Sequence, residues 1–154
     1  MIKILFICHG NICRSPMAEF VFKDMVRRRG LEDCFVINSC ATSTEEIGNP
    51  IYPPAQAELR RRKIPFDGHR AVQLTRQDYE NYDMLICMDD MNRRNILHIV
   101  GFDGEGKVHK LLDFTNRGGS VDDPWYSDRF DIAYNDICEG CEGLLKYLLE
   151  NKRI

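Results

Sequence analysis

The stretch that decides the fold lies at residues 2–26 and reads IKILFICHGNICRSPMAEFVFKDMV. It opens with an apolar run at residues 2–7, which is typical of a strand buried on both faces of a parallel sheet. The apolar positions beyond residue 16 recur at the spacing of one helical face, at Ala18, Val21, Phe22, Met25 and Val26. Ser15 is a good N-cap and Pro16 suits the first helical position, so we expect the helix to begin there.

The loop between this strand and this helix carries a thiol at Cys8 and a guanidinium at Arg14. Backbone N–H groups of such a loop, with the unpaired donors of the first helical turn, form a concave site for a tetrahedral oxyanion. We expect Gly10 to take a conformation closed to residues with a Cβ, and Asn11 to tolerate the left-handed region. Arg14 can bind two oxygens at once. The loop therefore predicts a site for phosphate, sulfate or arsenate.

Cys8 is the candidate nucleophile at the floor of this site. A free thiol is mostly protonated at neutral pH, so a cysteine nucleophile needs activation. A helix dipole supplies only about 0.3–1 kcal/mol. We therefore expect Arg14, the loop N–H groups and the Ser15 hydroxyl to stabilise the thiolate as well.

A second chemical signal lies at residues 122–126, which read DDPWY. Expelling an alkoxide or phenoxide from phosphorus needs a proton donor, and an aspartic acid on a turn fixed by Pro124 can supply the proton. The same carboxylate can then deprotonate the water that hydrolyses a thiophosphate intermediate. Asp123 is thus the candidate general acid and base.

With these motifs the chain resembles the low-molecular-weight protein tyrosine phosphatases almost from end to end. The matching segments are residues 8–16, 39–43 (SCATS), 48–50 (GNP), 87–89 (CMD) and 123–124 (DP). The resemblance implies that Cys8 is the nucleophile, that Arg14 binds phosphate and stabilises the transition state, and that Asp123 is the general acid.

The resemblance also implies a set of supporting residues. Asn11 and Ser15 would hold the loop and the thiolate, while Ser43 and His69 would lend hydrogen bonds behind the loop. The residues expected to contact the phosphate or the substrate are His9, Gly10, Asn11, Ile12, Cys13, Ser15, Trp125 and Tyr126. No cofactor and no metal is expected.

The chain departs from the family pattern beside the substrate slot. Many members carry an aromatic wall after the Ala-Thr-Ser segment, whereas this chain reads Thr44-Glu45-Glu46, so that wall is expected to be missing or acidic. Trp125 stands where Tyr is common and is expected to stack on phosphotyrosine as the other wall.

Three alternatives remain open from the sequence. A related branch that acts on phosphoarginine tends to carry Thr at the position of Ile12, and an apolar Ile suits an aromatic ester better. Thioredoxin-coupled arsenate reductases of similar fold need a closely spaced cysteine relay, and no such pair follows Cys87 at short range. A catalytically silent phosphotyrosine-binding module would be free to lose Cys8 or Asp123, which this chain retains together.

The other cysteines have simpler interpretations. Cys34, Cys40 and Cys87 are expected to fill the core. Cys138 and Cys141 lie on an apolar helical face, which favours core packing over half a zinc site. Cys13 has two open interpretations. It either fills space beneath the loop, or it protects Cys8 by trapping its sulfenic acid as a reversible disulfide.

The remaining pattern alternates strands with helices. Strands are predicted near residues 35–39, 84–88 and 108–112, with a further short strand at 71–74, and helices near 54–63, 92–100 and 130–150. This order predicts an α/β fold, a three-layer sandwich with a four-stranded parallel sheet and helices on both faces, of the phosphotyrosine phosphatase I-like type. The ligand is then expected at the carboxyl ends of the strands, and residues 113–128 form a functional rim.

Length and composition agree with one small enzyme. The 154 residues, 44% of them hydrophobic, predict a single domain spanning residues 1–154. Seven cysteines without a signal peptide predict a cytoplasmic protein with free thiols. A net charge of −3 and no long apolar run exclude nucleic acid and membrane as expected partners. The expected partners are phosphotyrosine-containing proteins and inhibitory oxyanions, bound by a monomer or weak dimer.

Overall fold

A computed structural model describes residues 1–151 and 154 of the chain. Four strands form one parallel sheet in the order β2-β1-β3-β4, with β1 at Ile2–Cys8, β2 at Phe35–Ala41, β3 at Met84–Cys87 and β4 at Val108–Lys110. The helices of this part of the chain are α1 (Arg14–Arg28), α2 (Pro53–Arg61), α3 (Arg76–Asn81), α4 (Asp90–Val100), α5 (Pro124–Ser127) and α6 (Phe130–Glu150). The predicted four-stranded parallel sheet is confirmed.

Both faces of β1 are buried, which explains its continuous apolar sequence. On one face Ile4 and Phe6 belong to a core shared with α1, α2 and α6. On the other face Leu5 and Ile7 join a second core with α3 and α4. Because side chains alternate along a strand, one strand supplies both cores. The predicted helices on both faces of the sheet are confirmed.

Helix α1 begins two residues earlier than predicted, at Arg14 instead of Pro16. Cys13 occupies the N-cap position and no side chain caps the helix there. The prediction that Ser15 is the N-cap is wrong, because its hydroxyl lies 3.0 Å from the Cys8 sulfur instead. The helix ends before Gly30, whose φ of 69° lies in the left-handed region.

The short strand predicted at residues 71–74 is not a strand. Only a single bridge joins Gln73 to Ala41, at the outer edge of β2. The predicted strand near residues 108–112 ends at Lys110, because the chain then enters a 3-10 turn at Leu111–Phe114.

Helix α3 was not predicted from the sequence. Thr75 and Asp78 form a capping box at its start, in which each side chain bonds to the other's backbone N–H. Helix α4 begins two residues earlier than expected because Asp89, not a later residue, accepts the capping hydrogen bond from Asn92. Helix α6 has the predicted bounds.

The sheet topology creates a crevice at the carboxyl ends of β1 and β3. The chain leaves β1 for β2 on one side and returns to β3 on the other, so the connections diverge between β1 and β3. Cys8 ends β1, and Asp89 follows β3 at the same edge. No helix within residues 1–151 is long and apolar enough to cross a membrane.

Candidate active site

The loop from β1 to α1 turns at Asn11, which has a φ of 61°. Asparagine tolerates this left-handed conformation better than most residues, as the sequence predicted. The matching prediction for Gly10 is wrong, since its φ lies outside that region and a Cβ there would meet Glu46 at an ordinary 3.4 Å. The sharp turn of the loop therefore belongs to Asn11.

The buried side chain of Asn11 ties the loop to its surroundings. Its amide nitrogen donates to Ser15 Oγ at 2.8 Å and to Ser39 Oγ at 3.0 Å. Its amide oxygen accepts from the backbone N–H of Val72 at 3.2 Å. These three bonds hold the left-handed residue in place and orient the Ser15 hydroxyl.

Ser43 and His69 lie behind the loop and bond to its carbonyl groups. Ser43 Oγ donates to the His9 carbonyl at 2.9 Å. His69 Nε2 lies 2.9 Å from the Asn11 carbonyl oxygen. With these carbonyls engaged from behind, the loop can direct N–H groups towards the site.

Two donors surround the Cys8 sulfur. The Asn11 backbone N–H donates to it at 3.3 Å, and Ser15 Oγ lies 3.0 Å away. Ser15 Oγ accepts a hydrogen from Asn11, and its own proton has two acceptors, the Cys8 sulfur and the Cys40 carbonyl at 3.5 Å, of which the sulfur is nearer. The side chain of Cys8 is buried, with 3% of the residue exposed. The geometry suits a thiolate at this position.

The Arg14 guanidinium is buried between two carboxylates. Nη1 donates to Asp89 at 2.8 Å and to the Val121 carbonyl at 3.1 Å, and Nη2 donates to Asp123 at 3.3 Å. Burial alone would lower the pKa of Arg14, but the negative charges at Cys8, Asp123 and Asp89 outweigh it and raise that pKa. Arg14 is therefore held in place and permanently charged, which are the properties that anion binding requires.

Asp123 is the N-cap of the short helix α5. One carboxylate oxygen accepts from the Trp125 backbone N–H at 3.1 Å, and the other contacts Arg14. Pro124 follows as the first helical residue and fixes the turn. The side chain is 32% exposed, so it is open to a substrate.

Cys8, Arg14 and Asp123 line one cavity of ≈ 620 Å³. Of the other residues predicted to contact phosphate or substrate, the cavity is lined by His9, Gly10, Ile12, Cys13, Trp125 and Tyr126. The structure thus brings together the segments at residues 8–14 and 123–126, more than a hundred positions apart. Asn11, Ser15, Ser43 and His69 lie outside the lining and support it through the bonds described above.

Comparison with known proteins agrees with the family resemblance seen in the sequence. Residues 3–154 match the model of the low molecular weight phosphotyrosine protein phosphatase family. The chain belongs to this family. It is a protein tyrosine phosphatase, a hydrolase whose family uses a cysteine nucleophile.

The relatives match the phosphatase over their whole length. It is 38% identical to the low molecular weight protein-tyrosine-phosphatase YfkJ of Bacillus subtilis, covering 100% of both chains. The crystal structure of YfkJ superposes with a TM-score of 0.95 over 99% of this chain and 97% of that one. The phosphatase SP-PTP of Streptococcus pyogenes, 37% identical, has a TM-score of 0.87 over 96% and 93% of the two chains.

In this phosphatase the two sides of the substrate slot differ. Trp125 packs against Tyr52 with ring centroids 5.1 Å apart, and 53% of the tryptophan remains exposed. Glu45 and Glu46 also line the cavity, and Glu45 Oε2 lies 3.0 Å from His9 Nε2. Trp125 and the two glutamates, at the positions of the two predicted walls, thus line the same cavity.

Two carboxylates of the phosphatase site were missed by sequence reasoning. Asp89 pairs with Arg14, whereas the sequence placed it only within the matching segment at residues 87–89 and predicted no role for it. Glu19 is buried on α1, where it accepts from Ser39 Oγ and Lys23 Nζ, both at 2.6 Å. Through Ser39 it reaches Asn11, so it extends the network beneath the loop. Its spacing of four residues from Lys23 is typical of an exposed helix pair, so the sequence gives no signal of its burial.

The remaining cysteines of the phosphatase are buried or half-buried thiols. Burial, with the negative charges of Cys8 and Asp123, raises the pKa of Cys13, so its thiol stays protonated at neutral pH. Burial likewise raises the pKa of Cys87, to about 12. Cys141 is fully buried in the core and Cys138 packs at its margin. Among the described residues, no group of three His, Cys, Asp or Glu side chains is placed to hold a metal ion.

Proposed function

We propose that Cys8 is the nucleophile of a two-step hydrolysis of phosphotyrosine. The observation that carries this proposal is the single cavity in which Cys8, with two hydrogen-bond donors on its sulfur, faces Arg14 and Asp123. In the first step the Cys8 thiolate attacks phosphorus and an S–P bond forms while the P–O bond to the phenol breaks. Asp123, as a carboxylic acid, gives its proton to the departing oxygen.

In the second step Asp123 acts as a base. Its carboxylate takes a proton from water, the oxygen of that water attacks phosphorus, and the S–P bond breaks to release inorganic phosphate and the Cys8 thiolate. Arg14 and the loop N–H groups bind the non-bridging oxygens through both steps. They stabilise the charge that develops in each transition state, which is the largest contribution in reactions of this kind.

The substrate slot favours an aromatic ester. Ile12 and Trp125 give the cavity apolar surface beside the phosphate site, and the indole ring can stack on a phenyl group. A guanidinium leaving group would instead use the acidic side chains of Glu45 and Glu46, which line the same cavity. Phosphoarginine peptides therefore serve as the competing substrate class, and a higher kcat/KM for them than for phosphotyrosine peptides would contradict this assignment.

The experiment compares wild type, Cys8→Ser and Asp123→Asn on p-nitrophenyl phosphate and phenyl phosphate. We expect Cys8→Ser to lose turnover of both. Asp123→Asn should lose more activity on phenyl phosphate, because its leaving group needs protonation more. Rapid quenching of the wild type should yield phosphorylated Cys8. Full turnover by the serine variant would overturn the mechanism.

We further propose that Cys13 protects Cys8 from overoxidation. Peroxide converts Cys8 to a sulfenic acid, and attack by Cys13 forms a disulfide with loss of one water. What supports the proposal is that both thiols line the same cavity. Mass spectrometry after mild peroxide should show the Cys8–Cys13 disulfide. Cys8 sulfonic acid with reduced Cys13 would refute this role.

The setting we propose is a reducing cytoplasm, where the enzyme acts as a monomer or weak dimer. All seven cysteines are unpaired, which suits that compartment. Inorganic phosphate and similar oxyanions should inhibit competitively, since they occupy the same donors as the substrate phosphate. Phosphate inhibition that is not competitive with p-nitrophenyl phosphate would contradict this site.

A further inference from the structure

The segment at residues 115–123, which carries Asp123 at its end, has no regular secondary structure. It bends at Gly118 and Gly119, where φ is 62° and 93°. On the active-site side, two contacts hold its last residues. The Val121 N–H donates to the Met88 carbonyl at 2.9 Å, and Arg14 donates to the Val121 carbonyl. Both contacts lie two residues before the proposed acid.

A third contact reaches the residue next to Asp123 from a different element. The backbone N–H of Asp122 donates to Asp136 Oδ2, on α6, at 3.0 Å. The other oxygen of Asp136 accepts from Arg117 Nη2 at 2.6 Å. Arg117 lies near the start of the same segment and also donates to Glu139 at 3.0 Å. One carboxylate thus joins both ends of the segment to one helix.

Asp136 is well suited to fix a backbone position. Its side chain is only 15% exposed, and a charge-assisted hydrogen bond is about twice as strong as a neutral one. The next residue, Ile137, is fully buried in the core, so this part of α6 is held rigidly. Asp136 is not among the residues lining the cavity, so it touches no substrate.

We propose that Asp136 is a positioning residue that places Asp123 over the reacting phosphate by holding the Asp122 backbone. This inference rests on the proposed role of Asp123 as the proton donor. Without the Asp136 bond, the segment remains tied at Val121 but Asp122 is released from α6. Asp123 keeps its contacts with Arg14 and the Trp125 N–H, but the backbone before it is held less tightly. Proton transfer to the leaving oxygen then slows, while thiolate attack does not.

The test measures kcat/KM for phenyl phosphate and for p-nitrophenyl phosphate and compares their ratio between variants. Asp136→Ala should lower the phenyl phosphate value about tenfold more than the p-nitrophenyl phosphate value, because proton donation matters most for the poor leaving group. Asp136→Asn retains an acceptor oxygen for Asp122 and should restore the wild-type ratio. Glu139→Ala removes only the outer partner of Arg117 and is the matched control, with the ratio of wild type.

Two outcomes would overturn the positioning role. One is that kcat/KM of Asp136→Ala falls equally for both substrates or does not fall. The other is a further change of the ratio when Asp136→Ala is added to Asp123→Asn, since the proposal allows Asp136 to act only through Asp123. The Asp123→Asn variant alone tests the acid itself, so a failure of the mechanism is distinguished from a failure of this inference. Asp136→Leu, similar in shape and without an acceptor, replaces the alanine variant if that one does not fold.

Discussion

Asp89 contacts two parts of the active site with its two carboxylate oxygens. Oδ1 accepts from the Asn92 backbone N–H at 2.7 Å and caps α4, while Oδ2 accepts from Arg14 at 2.8 Å. The capping role can be inferred from an Asp directly after a buried strand. The contact with Arg14 cannot, because it joins residues 75 positions apart that only the sheet topology brings together.

We predict that Asp89→Asn lowers kcat/KM for p-nitrophenyl phosphate by about tenfold or more, since a hydrogen bond to a charged group contributes about 1.5–3 kcal/mol. Asparagine is a good N-cap, so α4 should keep its cap and the free energy of unfolding should change little. Steady-state kinetics and urea denaturation measure the two effects. Asp90→Asn is the matched control, because the neighbouring carboxylate is 72% exposed and pairs with Lys110. An equal loss in both variants would refute a specific role for Asp89.

The residues of the loop from β1 to α1 could be predicted to act together because Cys8, Asn11 and Arg14 are close together in the chain. The errors within it have a common cause. Ser15 was expected to cap α1, but the nearby thiol and the Asn11 amide use its hydroxyl instead. Gly10 was expected to make the turn that Asn11 makes. A short motif therefore predicts which residues form a site more reliably than it predicts the hydrogen-bond partner of each residue.

At the scale of elements, Asp103 connects α3 to the start of β4. Its carboxylate accepts from the Tyr79 hydroxyl at 2.6 Å and from the backbone N–H groups of Lys107 and Val108 at 2.7 and 3.1 Å. Burial would raise the pKa of Asp103, but these hydrogen bonds outweigh it and lower that pKa. The ionised carboxylate is thus part of the folded structure.

This arrangement predicts a pH-dependent stability. A carboxyl whose pKa is lowered in the folded state stabilises the protein above its unfolded pKa of about 3.9, and that stabilisation is lost as the pH falls through the folded value. Tyr79→Phe removes one of the hydrogen bonds responsible. The variant should therefore have a lower free energy of unfolding than wild type at pH 7. The difference between the two should shrink as the pH falls below the pKa of the unfolded carboxyl.

Urea denaturation at a series of pH values measures this difference. Tyr82→Phe is the control, since the Tyr82 hydroxyl accepts from the neutral Asn38 amide at 2.9 Å and touches no carboxylate in the hydrogen bonds of the structure. Its difference from wild type should stay constant across the acid range. A Tyr79→Phe difference that is equally constant would contradict the role of Asp103.

The elements that sequence predicted best are those with long apolar patterns. The 21 residues of α6 bury one face along their length, so its bounds followed from periodicity. Helix α3 has six residues and buries only Tyr79, so it had no periodic signal, although Thr75 and Asp78 are a recognisable capping box. Residues 71–74 are apolar enough to suggest a strand, but they meet β2 only at its final residue, Ala41.

At the scale of the molecule, the two hydrophobic cores share a single strand. Ile4 and Phe6 of β1 lie in one core, and Leu5 and Ile7 lie in the other. Neither core can lose its packing without disturbing the strand that both require. We propose that residues 1–154 form one domain on this ground.

One cooperative unfolding transition should follow. Urea curves recorded by far-ultraviolet circular dichroism and by the fluorescence of Trp125, the single tryptophan, should coincide. The same midpoint is expected from hydrogen exchange of β1 amides. Separate transitions for the two cores would contradict the single domain.

The fold class could be predicted because strands and helices alternate along the chain, and few architectures satisfy that order. The strand order could not, since the sequence does not state that β3 pairs with β1 rather than with β2. That pairing places Asp89 beside Arg14, and the long return through residues 115–123 adds Asp123. The loop residues and Asp123 could therefore be named from their local motifs, whereas the contacts of Asp89 and Asp123 with Arg14 could not, because the topology makes them.

The guanidinium of Arg14 already holds two anionic partners before any substrate arrives, and its contact with Asp123 is the longer one, at 3.3 Å. An incoming phosphoryl dianion would consequently replace the Asp123 carboxylate on Arg14, instead of pairing with a cation that has no partner. Little positive potential then extends beyond the entrance of the cavity. Added salt should therefore slow substrate association far less than in an enzyme whose active-site entrance carries unpaired basic residues. In the mechanism proposed above, the displaced Asp123 carboxyl would then lie beside the ester oxygen and could give its proton to the departing phenol.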